Sequence, residues 1–353
     1  MTVSAKAAVL ICADNGEVVF EKNAHEKLSM ASTTKIMTAL ITIEQCCPER
    51  VVVVSENAIK VEGTSMGLKK GDKVNYYSLV CGMLLSSGND AANVAATDIS
   101  GSIEEFAVLM NERAKKLGMN DTSFVTPSGL DAKDHYSTAY DMALLSSFAI
   151  KNETFREICS SKSKTVSFGN PETEHTLYNH NKLLGSVEGV FGVKTGFTKK
   201  SGRCLVSACE RNGITLICVT LNDPDDWADH KKLFDYGFER CVLPDCDLTE
   251  VGVRVTGGER KIVDVECACL PVLVNKGNEF TRLVTVDSFL YAPVKSGQKV
   301  GAVYYYSKDG KLLYTVDLLS VQSVNAVKAV KVQKNQQEKK KSIFDFLKSI
   351  FRR

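Results

Sequence analysis

Residues 29–44 read Ser29-Met-Ala-Ser-Thr-Thr-Lys-Ile-Met-Thr-Ala-Leu-Ile-Thr-Ile-Glu44. The spacing predicts a helix that is apolar nearly all round, through Met30, Ile36, Met37, Ala39, Leu40, Ile41 and Ile43. Such a helix is buried at the centre of a domain. Ser32 and Lys35 lie three residues apart near its start and share one face. A lysine inside an apolar helix is pushed towards its neutral form, because burial disfavours the charged one. Serine is a poor nucleophile at neutral pH and needs a base within hydrogen-bond reach. The five histidines, His25, His135, His175, His180 and His230, accompany no serine elbow motif. Lys35 is therefore the candidate general base for a Ser32 nucleophile.

Two further elements follow in order, Ser87-Gly-Asn89 and Lys194-Thr-Gly196. Ser87 supplies a second hydroxyl that can pass a proton to a leaving amine, and the Asn89 amide can position a substrate carbonyl. Lys194 and Thr195 are expected on an edge strand, where a peptide pairs by β-addition and its carboxylate meets the cation. Lys194 would also push the Lys35 pKa down. Gly196 removes a side chain where a substrate lies close. The backbone N–H groups of Ser32 and Phe197 are the candidate oxyanion hole. Similar spacings recur at Ser161 to Lys164, Ser296 to Lys299, Ser55 to Asn57, Ser323 to Asn325 and Lys295-Ser-Gly297. Those at Ser160 to Lys164 and Lys295 to Gly297 read as a surface loop and a hairpin turn.

The remaining chain is read outward from this set. Lys6 to Ala13 and Glu17 to Phe20 are strands around Asn15-Gly16, a tight-turn signal. Helices are expected over residues 77–85, 90–99, 103–117 and 138–149, with a short strand at Val51 to Val54. A strand over 190–197, a hairpin over Arg211-Asn-Gly213 and a helix over 226–240 close the segment. Strands at both ends flanking a helical middle predict an α+β fold, a sandwich of one antiparallel sheet and its helices. We expect a domain over 1–241 and an all-β domain over 242–322. A basic linker with an amphipathic helix is expected over 323–353.

Net charge is +2, with no nucleic-acid bias, but residues 326–353 hold nine Lys or Arg against two acids, leaving about −5 over residues 1–325. In the tail, Ile343, Phe344, Leu347, Ile350 and Phe351 share one helical face and the basic residues fall mostly on the other. That pattern predicts an interfacial helix on an anionic membrane surface. Twelve cysteines look structural: Cys12, Cys81, Cys204, Cys209 and Cys218 sit in apolar runs. The Cys241/Cys246 and Cys267/Cys269 pairs lack zinc spacing, and no metal or organic cofactor is implied. No apolar h-region precedes the first strand, as expected of a cytoplasmic protein or a mature secreted chain.

Ala31-Ser-Thr-Thr-Lys-Ile-Met-Thr38, Leu85-Ser-Ser-Gly-Asn-Asp-Ala91, Ser128-Gly-Leu-Asp131, Tyr136-Ser-Thr-Ala-Tyr-Asp-Met142 and Val193-Lys-Thr-Gly-Phe-Thr198 occur in this order. The chain resembles the serine D-Ala-D-Ala carboxypeptidases, the low-molecular-mass penicillin-binding proteins, over nearly its whole length. The resemblance implies a β-lactamase/transpeptidase-like catalytic domain and peptidoglycan stem peptides ending in D-Ala-D-Ala as donors. It implies an acyl-enzyme on Ser32, release of the terminal D-Ala, and acylation by β-lactam antibiotics. It also implies action at the extracytoplasmic face of a bacterial membrane. The chain departs from the family pattern at Asn179-His-Asn181, often Asn-Arg-Asn, and at Ser128, often His. The alternatives are a β-lactamase or D,D-endopeptidase of the same fold, or a non-catalytic wall-binding scaffold. No glutamate-to-asparagine loop signature of the first lies between residues 125 and 180.

Overall fold

The computed structural model describes residues 1–243, 248–267, 272–273, 280–328 and 348. The chain divides into two compact units: Met1–Asp245 with Cys269–Thr281 and Tyr305–Tyr314, and Cys246–Ala268 with Arg282–Tyr304 and Thr315–Arg353.

In the first unit, strands β1 (Ala7–Cys12) and β2 (Val18–Lys22) begin the chain, and β7 (Val190–Thr198), β8 (Gly202–Arg211) and β9 (Ile214–Leu221) return to them. They form one antiparallel sheet in the order β2-β1-β9-β8-β7, so β7 is an edge strand, as expected. Both faces are apolar, and the period of two sorts the side chains between two cores. Ala7, Val9, Ile11, Val206, Ile217 and Val219 face the core built with helix α1 (Lys35–Gln45). Ala8, Leu10, Leu205, Leu216 and Cys218 face Leu233 and Phe234 of α8 (Asp226–Phe238), the last helix of this unit.

Helix α1 packs against α3 (Tyr76–Leu84), α4 (Asn89–Ser100) and α6 (Ala139–Ala149), and is buried from Lys35 to Thr42. Its lack of a polar face is thus explained by neighbours on several sides. A 3₁₀ turn, Ala31–Thr34, precedes it. Ser32 therefore sits in that turn rather than on the α-helix itself.

The middle of the unit is not purely helical. A second antiparallel sheet, in the order β3-β4-β5-β6, joins Val51–Val53 (β3), Lys73–Asn75 (β4), Ser163–Gly169 (β5) and Glu172–Tyr178 (β6). Short helices Glu56–Ile59 (α2) and Glu153–Ser160 (α7) were also unexpected; α5 (Ile103–Lys116) lies close to its expected place. The stretch Ser160 to Lys164 is a correction to the expected surface loop: Ser160 ends α7 and Ser163 opens β5. In this hairpin only Val166, Phe168 and Leu177 are buried, so Ser, Thr, Glu and His outnumber the apolar residues and mask the alternation.

The C-terminal strands are β10 (Cys241–Val242), β11 (Gly252–Thr256), β12 (Ile262–Glu266), β13 (Val272–Leu273), β14 (Phe280–Val286), β15 (Leu290–Tyr291), β16 (Lys299–Ser307) and β17 (Leu312–Ser320). Six of them form a sheet in the order β14-β16-β17-β12-β11-β15. Lys295 to Gly297 is a turn, as expected, closed by Gln298 N–H donating to the Lys295 carbonyl at 3.1 Å. Apart from Lys348, the expected amphipathic tail helix lies outside the described residues. Cys12, Cys81, Cys204, Cys209 and Cys218 are buried and free. Burial pushes the Cys81 thiol up to about 12, which keeps it protonated and unreactive at neutral pH.

Candidate active site

The 3₁₀ turn and the start of α1 bring Ser32 and Lys35 together one turn apart. Lys35 is fully buried, and its Nζ lies 2.9 Å from Ser32 Oγ. It donates to Asn89 Oδ1 at 2.7 Å and to the Ser128 carbonyl at 2.6 Å. Burial holds the Lys35 ammonium well below its ordinary pKa, and nearby Lys194 pushes the same way against a smaller opposing pull from Asp90. Both effects favour the free amine over the ammonium.

Ser87 and Gly88 form the turn between α3 and α4, with Ser87 at φ +58. Asn89 opens α4, and its amide is occupied at both ends: Oδ1 accepts from Lys35, and Nδ2 donates to the Glu62 carbonyl at 2.7 Å. The neighbouring Asp90 accepts from the N–H groups of Met66, Gly67 and Leu68, at 2.9, 3.1 and 3.0 Å. These bonds fold the preceding loop onto the Ser87 turn.

Edge strand β7 passes directly beside the Ser32 turn. A Cβ on Gly196 would lie 3.1 Å from Ser32 N, the Met30 carbonyl and Ala31 Cβ. Glycine here lets the strand approach the nucleophile turn itself, a closer contact than the one expected with substrate. Thr195, Gly196 and the two-thirds exposed Phe197 line the opening. Lys194 points inward instead, 1% exposed, with Nζ donating to the Thr195 carbonyl at 2.9 Å. Burial pushes its pKa down to about 7.

A cleft of about 490 Å³ opens here, lined by Ser32 and Ser87 as well as β7. Of the eight residues expected at the site, Ser32, Ser87, Thr195, Gly196 and Phe197 line it, while Lys35, Asn89 and Lys194 are buried polar side chains behind it. The decoy at Ser55 instead accepts the Ala58 N–H at the start of α2.

Several lining residues escaped sequence reasoning. Arg203, on β8, donates through Nε to Asp226 Oδ1 at 3.0 Å, and its guanidinium lies 5.2 Å from the ring centre of Trp227, the only tryptophan. His180 also faces the cleft. Its flanking asparagines hold the loop: Asn179 Nδ2 donates to the Cys159 carbonyl at 3.0 Å, and Asn181 Nδ2 to the Gly192 carbonyl at 2.9 Å. The single signal was the departure at Asn179-His-Asn181; nothing in the local pattern of Arg203 or Trp227 distinguishes them. Among the described residues no group of His, Cys, Asp and Glu could hold a metal ion.

The family model described as D-alanyl-D-alanine carboxypeptidase matches residues 1–225. The chain belongs to the D-alanyl-D-alanine carboxypeptidase family. A second model, the C-terminal domain of penicillin-binding protein 5, matches residues 251–326. Carboxypeptidase DacF of Bacillus subtilis is 33% identical over 88% of this chain and 83% of its own. Carboxypeptidase DacC of Escherichia coli is 35% identical over 86% and 80%. Penicillin-binding protein 5 of Haemophilus influenzae superposes with a TM-score of 0.73 at 28% identity, covering 92% of this chain and 98% of that one. The carboxypeptidase fold therefore extends over both parts of the chain.

Proposed function

We propose that this carboxypeptidase removes the terminal D-Ala from peptidoglycan stem peptides ending in D-Ala-D-Ala, by way of an acyl-enzyme on Ser32. The observation that carries the reading is the environment of Lys35 Nζ. A neutral amine has two N–H groups and one lone pair. The Asn89 and Ser128 oxygens are acceptors only and take the two N–H groups, leaving the lone pair for the Ser32 hydroxyl. Ser32 O–H then donates to Nζ, which is the arrangement a general base requires.

In acylation, Ser32 Oγ attacks the carbonyl carbon of the penultimate D-Ala and its proton passes to Lys35. The oxyanion is met by the N–H groups of Ser32 and Phe197. Ser87 relays that proton from Lys35 to the leaving D-Ala nitrogen as the C–N bond breaks, so both side chains return to their starting forms. Water then hydrolyses the ester. Asn89 holds Lys35 in place, a positioning role added to its expected one. Lys194 and Thr195 attract the donor carboxylate, with Gly196 keeping β7 close. A β-lactam enters the same path at Ser32 and leaves a covalent adduct. On the same reading, residues 1–241 are the catalytic domain and 242–322 a β-rich appendage. Residues 323–353 then form a tail that binds anionic lipid at the extracytoplasmic face of the membrane.

The test is D-Ala release from a D-Ala-D-Ala pentapeptide. Wild type releases D-Ala, while Ser32→Ala and Lys35→Ala fall by at least about a hundredfold. Muropeptide binding with no release by wild type contradicts the reading.

A further inference from the structure

Behind the nucleophile turn lies a buried hydrogen-bond chain that the mechanism above does not use. His135 Nδ1 accepts from the Val125 N–H at 2.9 Å, so the ring proton sits on Nε2. His135 Nε2 and Thr34 Oγ1 are 3.0 Å apart. Thr34 Oγ1 in turn donates to the Ala31 carbonyl at 2.8 Å. The proton order is thereby set throughout: Val125 N–H to His135, His135 N–H to Thr34, Thr34 O–H to Ala31. Both side chains are buried, and burial pushes the His135 pKa down to about 4, which keeps the ring in the neutral form this order requires.

The end of the chain is the carbonyl of the Ala31–Ser32 peptide. A trans peptide is planar, so fixing its C=O direction fixes the opposed N–H. That N–H belongs to Ser32. Among the described residues it has no hydrogen-bond acceptor, and it lies on the Gly196 side of the turn. The peptide needs holding, because Ala31 has φ +49, a region that L-residues other than Asn and Asp seldom occupy. Gly129 closes the other side: a Cβ there would lie 2.0 Å from the Ala31 oxygen.

We infer that Thr34 and His135 are positioning residues of the oxyanion hole, holding the Ala31–Ser32 peptide so that the Ser32 N–H faces the reacting carbonyl. The inference rests on the reading of Ser32 N–H as an oxyanion donor. A hydrogen bond at the Ala31 oxygen also polarises the peptide and strengthens the N–H as a donor. Thr34 back-bonding to the i−3 carbonyl is common at helix starts. The continuation to a buried, neutral histidine with a fixed tautomer is what a merely local bond does not require.

The test uses the full-length chain acylated by benzylpenicillin, with two readouts: the acylation rate constant, and the infrared stretch of the ester carbonyl in the adduct. Thr34→Val keeps the side-chain shape and removes the hydroxyl. It is expected to slow acylation by about tenfold, less than the loss of a whole oxyanion donor, with non-covalent affinity unchanged and the ester band at higher wavenumber. Thr34→Ser restores the hydroxyl and is expected to return both readouts towards wild type. If Thr34→Val does not fold, His135→Gln, which leaves Thr34 in place, carries the same two readouts. Slower acylation with an unshifted band overturns the inference, and so does wild-type behaviour in the folded variant. If wild type itself forms no adduct, the acyl-enzyme reading fails first and takes this inference with it.

Discussion

Two lysines, Lys35 and Lys194, are both buried, and the charge of Lys194 lowers the pKa of Lys35. Lys194 has an ordinary pKa of 10.5 when unfolded and about 7 in the folded protein. Between those values the unfolded chain binds the extra proton. Stability arising from this group therefore rises as pH increases from about 7 to 10.5, and the folded state carries the full penalty below about 7. Lys194→Met is expected to raise stability at pH 7 by on the order of 1–2 kcal/mol, because an apolar side chain replaces a desolvated amine. The part of the stability gain between pH 7 and 10 that comes from Lys194 should vanish with it. Denaturant unfolding at several pH values measures both effects, and equal or lower stability of the variant at pH 7 contradicts this account of the site's electrostatics. The same residues show what sequence could supply. The pairing of Ser32 with Lys35 was legible because a helix start brings residues three apart onto one face. The inward turn of Lys194 and the double engagement of Asn89 were not, since both depend on contacts across the fold.

At the scale of elements, the nucleophile turn is held from two sides, by β7 at Gly196 and by the Ser128-Gly129 loop. Gly129 has φ +83, and its missing Cβ leaves room for the Ala31 oxygen. Gly129→Ala is therefore expected to cost about 1–3 kcal/mol from backbone strain alone. It should also displace the Ser128 carbonyl from Lys35 and slow acylation. Thermal unfolding and acylation rates check both parts; a variant with unchanged stability and rate contradicts the close packing of this loop. Elements with long apolar runs were readable from sequence: α1 and the buried strands β1, β8 and β9 all lie near their expected places. The sheet β3-β4-β5-β6 was not, because three-residue strands carry almost no period. Its β5–β6 hairpin buries only three residues, Val166, Phe168 and Leu177, all on one face. Arg203 and Trp227 reach the cleft from β8 and α8, whose convergence is a property of the sheet order.

For the whole molecule, the change from a helical to a β-rich composition after about residue 242 was legible, whereas the return of residues 272–273, 280–281 and 305–314 to the first unit was not. The returning segments interrupt the simple N-to-C order that composition follows. The tail gives a prediction at this scale. Removing residues 339–353 takes away Lys339-Lys-Lys341, Lys348, Arg352 and Arg353. Each is worth about 1 kcal/mol near an anionic surface. The truncated protein should stay in the supernatant when sedimented with anionic liposomes and keep its carboxypeptidase activity; unchanged co-sedimentation contradicts the membrane-binding tail. The central claim is that Ser32, activated by Lys35, forms the acyl-enzyme. It is tested most directly by intact-protein mass spectrometry after mixing with benzylpenicillin, followed by peptide mapping, with Ser32→Ala alongside. The account predicts a single penicilloyl adduct on the wild-type peptide containing Ser32 and none on the variant. An adduct that persists in Ser32→Ala, or its absence from both proteins, contradicts it.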